Sequence, residues 1–121
     1  MRRKILIVDD SATIRLVLST TLREAGCEVV EACDGREALD YLENETINML
    51  ITDLNMPNVN GIDLIRQVRR TNGFRFMPII MLTTESEEEK KQEGKAVGAS
   101  GWVVKPFKPE QLLAVVNMVM A

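Results

Sequence analysis

The sequence predicts an α/β domain in which a five-stranded parallel sheet is covered on both faces by helices. Three observations carry that reading. Apolar runs of strand length alternate with longer segments of helical periodicity, which demands a parallel sheet with right-handed crossovers. Several of those runs stop abruptly at polar residues: Asp9-Asp10, Asp53, Thr83-Thr84 and Lys105. The 121 residues hold no linker, internal repeat or low-complexity segment, so they make one core and one domain, residues 1–121.

Each element has a local reason. Lys4 to Val8 is a β-branched and leucine run, and Ser11 can cap a helix with the apolar stripe Ile14, Val17, Leu18, Leu22 and Ala25. Gly26 stands where a helix-terminating glycine should. Glu28 to Ala32 is the second strand. Asp34-Gly35-Arg36-Glu37 opens the second helix with a cap residue and a Glu three later, and Ala38, Leu39 and Leu42 are its core positions. The third strand is the run from Asn48 that ends at Asp53.

After a loop from Pro57 to Gly61, Ile62, Ile65 and Val68 mark the third helix, closed near Asn72-Gly73. Pro78 to Leu82 is the fourth strand and Gly101 to Val104 the fifth. Between them, Glu85 to Lys91 places acids early and bases later, with a Glu87 to Lys91 pair. That fourth helix has few apolar positions beyond Ala96 and Val97, so loose attachment is expected. The last helix runs from Pro109 as its first residue to Met120, with Leu112, Leu113, Val116 and Met120 as the repeating apolar positions.

Composition removes several classes of function. Hydrophobic residues make up 45% and charged ones 27%, ordinary for a globular chain, and a net charge of −3 gives no basic surplus for nucleic acid or a membrane surface. The apolar runs Ile5 to Val8 and Met77 to Leu82 are far too short to span a bilayer. Met1-Arg2-Arg3-Lys4 leads into a strand rather than into a signal segment, so a cytoplasmic protein with Cys27 and Cys33 as reduced, partly buried thiols is expected. The chain has no histidine. That excludes Ser-His and Cys-His nucleophiles, His-bound zinc and an imidazole base, leaving carboxylates, hydroxyls and lysine.

In open parallel sheets, chemistry sits beyond the carboxyl ends of the strands. There the sequence delivers Asp9 and Asp10, Asp53, Thr83 and Thr84, and Lys105, which converge if strands one, three, four and five lie side by side. Two carboxylates about 4 Å apart repel by about 4 kcal/mol at an effective dielectric near 20, so three need a cation among them. Lys105 supplies one charge, and a hard divalent ion, Mg²⁺ by preference, would supply the rest. A protonated carboxylate is the alternative. Taken singly each residue has a plainer reading: Asp9 and Asp10 as solvated acids at a helix start, Thr83 as a helix cap, Lys105 as a solvated lysine in a turn.

Together, Ile-Leu-Ile-Val-Asp9-Asp10, Thr52-Asp53-Leu54-Asn55-Met56-Pro57 with Gly61 following, Leu82-Thr83-Thr84 and Val104-Lys105-Pro106-Phe107 resemble the receiver domain of two-component response regulators. The resemblance covers essentially the whole chain. It implies the flavodoxin-like (βα)5 fold with strand order 2-1-3-4-5. It implies that Asp53 accepts a phosphoryl group from a sensor histidine kinase, with Mg²⁺ held by Asp9, Asp10, Asp53 and the backbone carbonyl of Asn55, Asp9 through water. Lys105 would stabilise the phosphoryl oxygens. Thr83 would move to the acyl phosphate while the aromatic at position 102 swaps rotamer, and the Lys105-Pro106 bond would be cis. Trp102 stands where relatives carry Tyr or Phe, which bears on its inward rotation, and Asn55 and Glu85 occupy positions that tune hydrolysis.

The implied protein is a stand-alone response regulator, monomeric when unphosphorylated and not an enzyme beyond its own phosphorylation and dephosphorylation. Its fourth helix, fifth strand and last helix would bind a partner such as a flagellar motor switch in chemotaxis. The alternatives are a phosphorelay intermediate serving a histidine phosphotransferase, or a receiver that only binds partners. A haloacid-dehalogenase-like phosphatase would need a second aspartate where Asn55 stands, and length for a cap domain. A flavin carrier would need a phosphate-cradling loop where Asp9 and Asp10 would repel it.

Overall fold

The computed structural model describes residues 3–56, 59–71 and 73–120. Ten elements alternate along the chain: β1 Lys4–Val8, α1 Ala12–Glu24, β2 Glu28–Ala32, α2 Gly35–Asn44, β3 Met49–Asp53, α3 Gly61–Arg70, β4 Ile79–Thr83, α4 Glu88–Val97, β5 Gly101–Val104 and α5 Pro109–Met120. All strand pairings are parallel, in the order β2-β1-β3-β4-β5. The flavodoxin-like order implied by the sequence is therefore the one adopted.

β1, β3 and β4 are the inner strands and read as continuous apolar runs because both their faces are covered. The core divides accordingly. Leu6, Val8, Leu50, Ile79 and Met81 point to the side packed by α2 and α3, whereas Ile5, Ile7, Met49, Ile51, Ile80 and Leu82 point to the side packed by α1 and α5. Register aligns Thr52 with Val8 and Met81, so Asp53 and the residues after β1 and β4 emerge along one edge of the sheet.

The caps follow the sequence signals. Ser11 accepts from Ile14 N–H (3.3 Å), Asp34 from Glu37 N–H (2.8 Å) and Asn60 from Asp63 N–H (2.9 Å). Gly26, at φ +91°, turns the chain out of α1, and Pro109 is the first residue of α5.

Several expectations are corrected. Val17 and Ala25 do not belong to the buried stripe of α1. Val17 lies about 100° around the helix from Leu18, and Ala25 is the C-cap beyond the last turn; Ser19 and Thr21 are buried beside Leu18 and Leu22 instead. Leu39, Leu113 and Met120 are only half-buried, and β4 begins at Ile79. Ala96 is exposed, and Gly94 alone is buried among the described residues of α4. The Glu87 to Lys91 pair is replaced by Glu88 to Lys91 at 2.9 Å, because Glu87 is the N-cap and turns back to accept the Thr84 N–H at 2.8 Å. Thr83 consequently caps nothing. Cys27 is half-buried but Cys33 is exposed, and both are free. Met1, Arg2, Pro57 and Asn72, which the sequence reading used for the chain start, the loop after β3 and the end of α3, lie outside the described residues.

Candidate functional site

The carboxyl edge of the sheet gathers three acids and one lysine. Asp53, the last residue of the wholly buried β3, is only 6% exposed, and its Oδ1 accepts the Leu54 N–H at 2.9 Å. Gly61 lets the start of α3 approach this strand end: its N–H reaches the Leu54 carbonyl at 3.0 Å, and a Cβ there would collide with the Asp53 carbonyl oxygen. Lys105 leaves β5 with its N–H on the Thr83 carbonyl (2.6 Å), followed by a cis bond to Pro106. Its Nζ lies 2.9 Å from Asp9 Oδ2 and 3.3 Å from Asp53 Oδ2.

Asp9 and Asp10 are not equivalent. Asp9 is fully buried rather than solvated, its Oδ1 accepting the Ser11 N–H at 2.9 Å, while Asp10 is exposed. One ligand oxygen from each of Asp9, Asp10 and Asp53 lies within 4.8 Å of the others. Burial, then the charge of Asp9, pushes the Asp53 carboxyl above its ordinary range, and Lys105 only partly opposes them. Burial alone would pull the Lys105 amine down. Its hydrogen bond to Asp9 and the charges of Asp53 and Asp9 outweigh that, and the net direction is up. The cluster therefore keeps its lysine charged and is still short of positive charge. Its donors are all carboxylate oxygens, the chemistry that a hard cation such as Mg²⁺ requires and that a thiophilic metal does not.

A cavity of about 710 Å³ opens in front of Asp53. Asp53, Asn55 and Lys105 line its sheet side; Glu87, Glu88, Glu89 and Lys90 line its α4 side. Thr83, 1% exposed, lies behind this edge with its hydroxyl lacking any partner among the described residues, an uncommon state for a buried polar group. Glu85 and Trp102 are not in the cavity with Asp53; they border a second cleft with Val104 and Pro106. Trp102 is 38% exposed, and the ammonium groups of Lys91 and Lys95 stand 5.0 and 4.9 Å from its ring centroid, within cation–π range.

Two polar partners of the site escaped sequence reasoning. Arg15 donates from Nη1 to the Asp9 carbonyl at 2.6 Å and lies 3.6 Å from Glu31, which also accepts from Ser19 Oγ at 3.2 Å. Lys90 reaches the Asn55 side-chain oxygen at 3.3 Å. Arg15 carried a weak signal, a charged residue one turn into α1 opposite an acid midway along β2. Lys90 carried none, because a lysine on a charged helix reads as solvated surface.

The pattern of the response regulator receiver domain matches residues 5–117, and the chain belongs to that family. It is 42% identical over 119 residues to the chemotaxis protein CheY1 of Helicobacter pylori, a match covering 97% of this chain and 96% of that protein. To the chemotaxis protein CheY of Pseudomonas aeruginosa it is 41% identical over 110 residues, covering 90% and 89%. Among solved structures, the chemotaxis response regulator CheY4 of Vibrio cholerae superposes with a TM-score of 0.93 at 50% identity, covering 98% of this chain and 99% of that one. The chain is thus a receiver domain homologous to chemotaxis response regulators. No helix among the described residues is long and apolar enough to cross a membrane.

Proposed function

We propose that this chain works as a one-domain response regulator, residues 1–121, which takes a phosphoryl group onto Asp53 and then docks on a partner protein. The observation that carries the reading is the Lys105 ammonium set between Asp9 and Asp53, 2.9 and 3.3 Å away, with Asp10 as a third acid. One lysine against three carboxylates leaves the site short of cationic charge, as a site awaiting a metal ion and a phosphoryl group would be.

The donor is a phosphohistidine of another protein, since this chain has no histidine, or a small phosphodonor that takes its place. A carboxylate oxygen of Asp53 attacks phosphorus, the O–P bond forms as the P–N bond breaks, and the departing imidazole nitrogen keeps the electron pair and takes up a proton. Lys105 moves with its charge from Asp53 to the phosphoryl oxygens. Asp9, Asp10, Asp53 and the Asn55 carbonyl would hold Mg²⁺, which supplies positive charge against the oxygens of the transferring group. The unpartnered hydroxyl of Thr83 gains an acceptor when it hydrogen-bonds the acyl phosphate. Trp102 then leaves its place beside Lys91 and Lys95, changing the surface of α4, β5 and α5. Asn55 and Glu85 set the lifetime of the phosphate.

A sensor histidine kinase upstream and a flagellar motor switch downstream fit the chemotaxis relatives, which match this chain along nearly their whole length. On this reading the protein is cytoplasmic and monomeric before phosphorylation, binds neither nucleic acid nor membrane, and is no enzyme beyond its own phosphorylation and dephosphorylation. Passing the phosphoryl group on to a histidine phosphotransferase is the second reading. Intact mass after treatment with acetyl phosphate tests the proposal: one labile adduct requiring both Mg²⁺ and Asp53 supports it, and an adduct that persists in Asp53→Asn refutes it.

A further inference from the structure

We infer that Lys90 is a second phosphodonor-binding lysine, one that selects for strongly anionic small donors at the mouth of the Asp53 cavity. The inference rests on the reading of Asp53 as phosphoacceptor and adds a residue on the opposite wall. Lys90 belongs to the first turn of α4, yet its ammonium crosses to the Asn55 side chain, 3.3 Å from Oδ1. Both residues line the cavity with Asp53 and Lys105.

The charges around it make this placement consequential. Glu87, Glu88 and Glu89 border the same mouth, so a dianionic donor meets an acidic rim before it meets Lys105. The other α4 lysines are engaged elsewhere: Lys91 is paired with Glu88 and set over Trp102, and Lys95 is set over Trp102. Lys90 has no carboxylate partner among the described residues, its one polar contact there being the neutral Asn55 amide. Its charge is thus not cancelled by an ion pair and faces the entrance. The contact also turns the Asn55 oxygen towards Lys90, which leaves the amide N–H groups to donate to a phosphoryl oxygen. A cation at the mouth of a cleft raises the local concentration of anions and their rate of capture, and a lysine within reach of the phosphoryl group stabilises the charge in transfer.

The test compares two donors of different charge, acetyl phosphate and the less anionic phosphoramidate, on wild type, Lys90→Ala, Lys90→Arg and Lys90→Glu. Adduct formation is followed by intact mass over a range of donor concentrations and at two salt concentrations. The inference expects Lys90→Ala to lower the second-order rate with acetyl phosphate by about three- to tenfold, the size of one partly solvated charge contact. The loss should be smaller with phosphoramidate, larger in Lys90→Glu, recovered in Lys90→Arg and reduced by salt. Equal losses with both donors, or unchanged rates in Lys90→Ala and Lys90→Glu, would overturn it. Failure of the underlying reading is separable: wild type would then give no adduct, or Asp53→Asn would give one.

Discussion

Replacing Asp53 with asparagine should stabilise the fold at neutral pH, even though Asp53 faces a lysine. At an effective dielectric near 20, the Lys105 contact at 3.3 Å is worth about 5 kcal/mol. The oxygens of Asp9 and Asp10 that lie within 4.8 Å of Asp53 each repel it by about 3.5 kcal/mol on the same scale. Two repulsions exceed one attraction by about 2 kcal/mol. Solvent around the exposed Asp10 reduces that surplus, and relief from burying a charge adds to it, so a net gain of about 1–2 kcal/mol is expected. Asparagine keeps an oxygen for the Leu54 N–H.

The pH dependence fixes the sign independently. Because burial raises the folded-state pKa of Asp53 above 3.8, the folded protein holds a proton that the unfolded chain releases, and stability falls as pH rises through that interval. The benefit of asparagine should therefore be full above the raised folded value and fade towards about pH 4. Urea or thermal melts of both proteins without divalent ions measure it, with a Tm increase of about 4–8 °C at neutral pH. A less stable variant at neutral pH, or an equal gain at both pH values, would refute the electrostatic reasoning.

Other perturbations separate packing from function. Gly61→Ala should cost about 2–4 kcal/mol in a thermal melt, since its Cβ would strike the Asp53 carbonyl and lie 2.7 Å from Leu54 Cα. Thr83→Val should leave the stability of the unphosphorylated protein within about 1 kcal/mol, because no hydrogen bond is lost. The same variant should abolish the change in Trp102 fluorescence on phosphorylation. Arg15→Ala should weaken Mg²⁺ binding by about tenfold in calorimetry, because the Asp9 carbonyl loses its 2.6 Å partner and the loop carrying two acids is freed. Unchanged affinity would limit Arg15 to structure.

The sequence carried most of the scaffold and less of the site's periphery. Strand ends and caps were legible because each depends on residues within a few positions: Ser11, Asp34 and Pro109 act on their own helices. Strand order could not be read from periodicity, since crossovers of one length serve several orders; it came with the motifs at positions 9–10, 53, 83 and 105. The division between buried Asp9 and exposed Asp10 was not legible. Adjacent acids look alike in sequence, and what tells them apart is the burial of Asp9 and its 2.9 Å contact with Lys105, 96 residues away. Lys90 was missed for the same reason, its partner Asn55 being set by how α4 packs across the sheet edge, whereas Arg15 binds the Asp9 carbonyl only six residues back and was missed because a charged side chain at a helix start also reads as solvated. The Glu87 to Lys91 pair failed because an N-cap side chain turns back towards the turn before it.

If Asp53 itself receives the phosphoryl group, the phosphorylated protein carries an acyl phosphate at that position and nowhere else. Treating the phosphorylated protein with borohydride, which reduces an acyl phosphate to an alcohol, and sequencing its peptides by mass spectrometry tests that most directly. Homoserine is expected at position 53, and only when Mg²⁺ was supplied during phosphorylation. Homoserine at position 9 or 10, or phosphate on the Thr83 or Thr84 hydroxyl with position 53 intact, would contradict it.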